Sequence, residues 1–324
     1  MSYLNQTQVP LSLAVYLATD DYDHDPTAIS ATQLQRPLRQ QILKTRVPVE
    51  ESFIDVLSLV KARLGTSIHT GIEQAWRGDL KGTLKKLGYP SNVISRIKVN
   101  PSKEELEPDT LAVYMEQRLY REISGHKISG KFDFIADGAL EDFKTTSTYT
   151  WSNGNKDDDY QLQGSIYRWL NPELITKDYI TIQFIFTDWM PGRAGIDPKY
   201  PNRQVEPKKI PLLSLEDTEA FIVNKLAMLD KYKDYPEQDL PLCNDKELWR
   251  KEPQFKYYKN VSKMSRSTKN FADRQEAYTR LAADGGMGTV VEKPGEVIAC
   301  KYCPAFPVCT QKDALIADGS LSIK

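Results

Sequence analysis

The chain has 324 residues, with 43 Lys and Arg against 44 Asp and Glu and a formal net charge of −1, so any affinity for nucleic acid has to come from a local basic surface and not from overall charge. The length allows one large domain with insertions or two smaller ones, with a sizeable core. No apolar run approaches the roughly 18 residues of a membrane helix, and the start MSYLNQTQVP lacks the basic beginning and apolar centre of a signal peptide. A membrane association is therefore not expected, and a cytoplasmic location is.

Residues 1–29 read as an N-terminal extension whose acidic cluster, Asp20, Asp21, Asp23 and Asp25, is expected to be a solvated loop. From Ser30 the run SATQLQRPLRQQILKTR predicts a helix opened by a Ser or Thr cap, with Pro37 early in it or breaking it. A better helix follows from about Glu51 to Trp76, where Ile54, Leu57, Val60, Leu64, Ile68 and Ile72 recur at helical spacing. His69, one of three histidines, shares a face with Glu73 four residues on; by itself such a histidine is a packed or exposed helix residue. Leu80 to Asn100 reads as a shorter helix with a polar connector, and Leu111 to Ile123 as a strand in which Val113 and Met115 alternate with Tyr114 and Glu116.

The chemical centre is expected in Gly130 to Thr146, GKFDFIADGALEDFKTT. Lys131 to Ala136 alternates as a strand that sets Asp133 on the face opposite Phe132 and Phe134. Asp137-Gly138 marks a hairpin turn, after which Leu140, Asp142 and Lys144 share one face and Glu141 and Phe143 the other. Two carboxylates converging from neighbouring strands repel and resist burial unless a cation lies between them, and oxygen ligands favour Mg²⁺ or Mn²⁺. A lysine beside such a site can stabilise developing negative charge or position a water for attack on a phosphodiester, the metal lowering that water's pKa.

Beyond the polar loop WSNGNKDDD, the helix DYQLQGSIYRWL lines up Tyr160, Gln163 and Tyr167 as one polar-aromatic stripe, with its tyrosines on the sheet and Gln163 and Tyr167 at the edge of a DNA groove. Tyr179 to Asp188 is β-branched and aromatic enough for a central, two-sided strand; Arg203 to Ile210 returns as a strand, and Ser214 to Tyr232 as a capped amphipathic helix. Helices, then strands, helix, strand and helix indicate an α/β core with helical additions. Lys246 to Arg274 interleaves basic and aromatic residues, a mixture that tracks phosphates and stacks bases or forms a solvated surface, and GGMG at 285–288 reads as a turn. The four cysteines, Cys243, Cys300, Cys303 and Cys309, crowd the last quarter, which in a reducing cytosol argues for a metal site before disulfides.

Together these pieces resemble the RecB-type branch of the PD-(D/E)XK nucleases, including CRISPR-associated and AddB-like exonucleases, from about Ser30 to Gln311. The branch's glycine followed four residues later by histidine matches Gly65 to His69, its metal aspartate matches Asp133 in SGKFDF, its (Asp/Glu)-x-Lys matches Asp142-Phe143-Lys144, and its Gln-x-x-x-Tyr matches Gln163 to Tyr167. The resemblance implies a restriction-endonuclease-like mixed sheet flanked by helices, with a nuclease core over 30–235 and a basic, cysteine-stapled region over 236–324. It also implies that His69, Asp133, Asp142 and the Phe143 carbonyl hold Mg²⁺ or Mn²⁺ while Lys144, Gln163 and Tyr167 act on the strand. Cys-x2-Cys-x5-Cys at Cys300, Cys303 and Cys309 matches the trio of branch members that carry a [4Fe-4S] cluster. Those relatives take their fourth cysteine from the N-terminal helical segment, where this chain has none. Either Cys243 replaces that ligand in an iron-sulfur cluster, or the site is incomplete, holds zinc among four cysteines, or is a set of free thiols. The implied activity is a DNA exonuclease working at single-stranded or duplex ends, in a bacterial or phage-infected cell, for replication, recombination, repair or defence. With no Gly-x4-Gly-Lys-(Ser/Thr) loop in the chain, any helicase partner is a separate polypeptide. The rival reading is a non-catalytic DNA-binding scaffold on the same fold.

Overall fold

The structure is a computed structural model that describes residues 2–19, 25–48, 53–154 and 156–323. Asp20, Asp21 and Asp23 of the acidic cluster, the opening of the helix expected at Glu51, and Asn155 in the loop after Thr146 lie outside the described residues. The chain divides into two compact units, Met1–Gln35 with Phe53–Ala227, and Arg36–Ser52 with Met228–Lys324.

The first unit is α/β. Its seven-stranded mixed sheet comprises β1 (Ile29–Ser30), β2 (Ile97–Val99), β3 (Leu111–Ile123), β4 (His126–Ala136), β5 (Ala139–Thr146), β6 (Tyr179–Phe186) and β7 (Val205–Pro211). The order is β2-β3-β4-β5-β6-β7, with β1 added in parallel to β4. Strands β5 and β6 run parallel, so the chain must cross over between them, and it does so through the short helix Thr148–Asn153 and helix α2 (Asp157–Leu170). As its apolar run predicts, β6 is interior, with Ile180, Ile182, Phe184 and Phe186 buried. These side chains join Phe132, Leu140, Ile166, Tyr167 and Trp169 in the main core. Gly130 lets α2 approach β4 closely, since a Cβ there would come within 2.7 Å of Tyr167 and Leu170 side-chain atoms.

Three details depart from the expected pattern. The helix over Glu51 to Trp76 begins only at Val60, as α1 (Val60–Arg77). Ahead of it, Phe53–Asp55 pairs in parallel with Ser2–Leu4, and the Asp55 carboxylate accepts from the Leu57 and Gln6 amides, turning the chain before the helix starts. Of its apolar stripe, Leu57, Val60 and Leu64 are exposed while Ile54, Ile68 and Ile72 are half-buried. Pro37 breaks the helix expected from Ser30: Ser30 caps Ala31–Leu34 through the Gln33 amide, and a second helix runs over Leu38–Lys44. Finally, Phe132 and Phe134 do not share one packing layer. Phe132 belongs to the main core, whereas Phe134 lies with Trp76, Val113, Met115 and Phe143 in a separate cluster. The alternation is interrupted where the β3–β4 ladder skips the Glu116 and Asp133 positions and Glu116 takes a left-handed φ of 54°.

In the second unit, β8 (Gln254–Tyr258), β9 (Lys269–Phe271) and β10 (Thr289–Lys293) form an antiparallel sheet in the order β9-β8-β10, packed by helix α4 (Arg274–Ala283) around Phe255, Tyr257, Phe271 and Ala277. Elsewhere the unit consists of short pieces: the helix Leu38–Lys44, the 3₁₀ turns Glu237–Asp239, Ala299–Tyr302 and Phe306–Val308, and the helix Gln311–Ala317. Among the described residues, no helix is long and apolar enough to cross a membrane.

Candidate active site

The β4–β5 hairpin turns at Asp137-Gly138, both with positive φ, and pairs only from Ala136↔Ala139 to Phe134↔Glu141. Beyond that pair the strands part, and Asp133 and Asp142 occupy the opening of the fork. Asp133 Oδ2 accepts from the Phe143 N–H at 2.9 Å, replacing the strand partner that this amide has lost. Alternation along β5 keeps Asp142 and Lys144 on the face opposite Phe143, as predicted, and the fold turns Phe143 toward α1 and the other two toward α2.

From α1, the His69 ring meets Phe143 edge-on at 5.9 Å, and His69 Nε2 lies 2.9 Å from the Phe143 carbonyl. A carbonyl only accepts, so Nε2 carries the proton. Nδ1 faces Asp133 Oδ1 at 3.4 Å and Glu116 Oε1 at 3.9 Å. Burial alone pulls the imidazole pKa down, but the hydrogen bond and charge of Asp133, the Phe143 carbonyl and the Asp142 charge together raise it. The ring's Nδ1 faces the two carboxylates where a cation would be held. Glu73 turns away and pairs with Arg77.

From α2, Gln163 Nε2 donates to Tyr167 Oη at 2.9 Å and reaches Asp142 Oδ1 at 3.4 Å. The Tyr167 ring is buried, so its hydroxyl influences the site through Gln163. Lys144 Nζ lies 2.7 Å from Asp142 Oδ2 and 5.7 Å from the Tyr160 ring centroid. Asp142 is 2% exposed. Its burial pushes the carboxyl pKa up to about 6; the Lys144 charge works against this and the Asp133 charge with it. Lys144 is lowered by burial but raised overall by Asp142 and Asp133, which keeps it cationic.

Glu116 is the residue that strand patterning did not single out. It joins His69 and Asp133 in a group whose ligand atoms lie within 4.8 Å of one another, and its other oxygen holds Lys131 Nζ at 2.7 Å. An acidic residue in mid-strand was the available signal; the register that sets it across from Asp133 and the φ that turns it inward are tertiary facts.

The donor set fits a divalent cation. Asp142 Oδ2 is buried without a well-directed hydrogen-bond donor despite the close Lys144 ammonium, and carboxylates, a carbonyl oxygen and one imidazole converge around the same fork.

In the second unit the four cysteines are half-buried. Cys243 and Cys300 pack with Leu248, Val297 and Leu315, and Cys303 and Cys309 with Ile42, Leu43 and Leu240. Burial first, then the charges of Glu247 and of the other three thiolates, push Cys243 up to about 12; burial with Cys303 and Cys309 pushes Cys300 up to about 11. Gln311 fixes Cys243 by accepting from its amide at 2.9 Å and donating to its carbonyl at 2.8 Å.

No protein-family model matches the chain, and no curated protein matches it. Three solved chains do. The crystal structure of SSO0001 is similar with a TM-score of 0.40 and 16% identity, over 67% of this chain and 84% of that one. A phage related exonuclease from Haemophilus somnus 129PT is similar with a TM-score of 0.26 and 16% identity, over 38% of this chain and 60% of that one. At such low similarity neither likeness says what this chain does.

Proposed function

We propose that the protein is a metal-dependent DNA nuclease of the restriction-endonuclease-like kind, cutting phosphodiester bonds at strand ends. The observation that carries this reading is the convergence, at the mouth of the β4–β5 fork, of Asp133, Asp142, Lys144, His69 and the Phe143 carbonyl.

In this reading His69, Asp133, Asp142 and the Phe143 carbonyl would hold Mg²⁺ or Mn²⁺, with Glu116 beside them. A divalent cation supplies charge neutralisation at the phosphate and a bound water of lowered pKa. His69 would bind the metal as neutral imidazole through Nδ1, which faces Asp133 and Glu116. Lys144, kept charged by Asp142 and Asp133, is placed to stabilise negative charge developing on the scissile phosphate. Gln163, braced by Tyr167, orients the Asp142 carboxylate with the two N–H groups of its amide. A purely structural use of the fork would be served better by apolar residues, because a buried carboxylate with a raised pKa opposes folding at neutral pH.

The four thiols of the second unit belong to the same reading as a structural metal site, an iron-sulfur cluster or a zinc ion with Cys243 as fourth ligand. The test of the nuclease is cleavage of end-labelled linear and circular single-stranded DNA with Mn²⁺, with and without EDTA. Linear DNA degraded from its ends only when Mn²⁺ is free supports the reading. No metal-dependent cleavage of DNA of any form defeats it.

A further inference from the structure

Between Glu252 and Asp273 the chain carries Lys256, Lys259, Lys263, Arg266 and Lys269 and no carboxylate, a local positive run in a chain whose net charge is −1. The aromatic residues interleaved with these cations are not available to stack on bases. Phe255, Tyr257, Tyr258 and Phe271 are all buried, and all but Tyr258 lie in the small core that α4 covers. What this stretch offers to solvent is the loop between β8 and β9, residues 259–268, where Lys259, Lys263 and Arg266 are exposed together with Ser262, Ser265 and Thr268.

The loop is held in shape by its own backbone. The Thr268 amide donates to the Tyr257 carbonyl at 2.8 Å and its hydroxyl accepts from the Lys259 amide at 3.0 Å, which closes the base. Asn260 turns the chain, its side-chain oxygen accepting from the Ser262 amide at 2.9 Å and its carbonyl from the Lys263 amide at 3.1 Å. The cations are left without counter-charges. Among the described residues, the side chains of Lys263 and Arg266 make no hydrogen bond or ion pair. Lys259 lies 3.9 Å from Asp284, whose carboxylate is engaged by the Tyr257 hydroxyl at 2.9 Å and by Arg280 at 3.2 Å. Unneutralised cations spaced among hydroxyls are what phosphate oxygens accept from. A protein partner needs an apolar centre to its interface, to which this loop contributes Val261 and Met264 alone.

We infer that the β8–β9 loop is an arm that holds the phosphate backbone of a DNA strand without reading its bases, Lys263 and Arg266 making the contacts. The inference rests on reading DNA as the substrate.

The experiment is binding of the full-length protein to end-labelled oligo-dT and oligo-dA in EDTA, which prevents metal-dependent cutting, followed by fluorescence anisotropy over a range of NaCl concentrations. Lys263→Ala/Arg266→Ala is expected to weaken binding to both strands by about tenfold and to lower the slope of log affinity against log salt by about 1.4, since each phosphate contact on a single strand contributes about 0.7. Lys81→Ala/Lys85→Ala, on the helix Leu80–Lys86 of the first unit, changes the net charge equally and is expected to leave the slope as it is. An unmoved slope in the loop variant, an equal loss in the two double variants, or a loss confined to one of the two strands overturns the arm. Loss of binding to anionic phospholipid vesicles by the loop variant, with its DNA slope unmoved, assigns the loop to a membrane and overturns it as well. Cleavage with Mn²⁺ separates this inference from the nuclease reading. A protein that cleaves DNA but shows no change in slope sinks the arm alone, and one that shows the change but cleaves nothing sinks the nuclease alone.

Discussion

The fork of the first unit and the cysteine region of the second hold their polar groups by different means. At the fork, long strands do the work. Asp133 and Asp142 project from β4 and β5, whose partners β3 and β6 fix their backbones, and the site exists because one ladder stops three residue pairs from its turn. Around the cysteines the described residues form 3₁₀ turns and seven-residue helices, joined by side-chain hydrogen bonds that Arg39 donates, that Gln311 exchanges with the Cys243 backbone and that Glu237 accepts from Thr310. A sheet can hold an electrostatically unfavourable carboxylate in place, whereas turns of this length need a cross-link to stay folded.

The sharpest way to break this comparison is to remove chemistry from the fork without touching its frame. Lys144→Ala and Asp133→Ala are each expected to lower Mn²⁺-dependent DNA cleavage by about 10³-fold or more while circular dichroism and the unfolding midpoint barely change. A loss of less than about tenfold would mean that the fork is not where the reaction takes place.

Removing the metal proposed for the four cysteines should have the opposite character. Cys303→Ser, or a strong chelator, is expected to speed proteolysis within 236–324 by about 100-fold, because a structural metal contributes about 10 kcal/mol in small thiolate sites, while fragments from the sheet of the first unit persist. Mass mapping of a limited digest reads both. Equal protection of the two regions would show that turns and side-chain bonds suffice.

Glu116→Gln sharpens the fork itself. It keeps the shape and removes one charge, so Mn²⁺ affinity measured by calorimetry should fall by about tenfold. Unchanged affinity would reduce Glu116 to the partner of Lys131.

The smallest effect is on stability. Asp142 has a pKa higher in the folded chain than in the unfolded one, so its ionised form weakens the metal-free fold as pH rises past about 6. Asp142→Asn should therefore unfold about 2–4 °C higher than wild type in EDTA at neutral pH, a gain of about 1 kcal/mol, and lose the further rise that Mn²⁺ gives the wild type. A variant less stable than wild type in EDTA would show that Asp142 and Lys144 form a net stabilising pair.

Much of this was legible in the residues. The apolar run Tyr179–Phe186 marked the interior strand, Asp137-Gly138 the turn, Ser214 the start of α3 (Leu215–Tyr232), and the period-two pattern placed Asp142 beside Lys144 and away from Phe143. These follow from local rules: side-chain alternation, turn φ angles and helix capping act between near neighbours, and the order of residues encodes them directly. Spacing could also bring His69 forward as a candidate through the resemblance, yet it could not show which groups His69 would face. That Glu116 turns in with a left-handed φ, that Tyr167 works from inside the core, that Val60 and Leu64 of α1 stay exposed and that Arg39 reaches Cys309 across 270 positions were decided by tertiary structure. Each depends on where a distant segment packs, and long-range pairing leaves no periodic trace in the residues it joins.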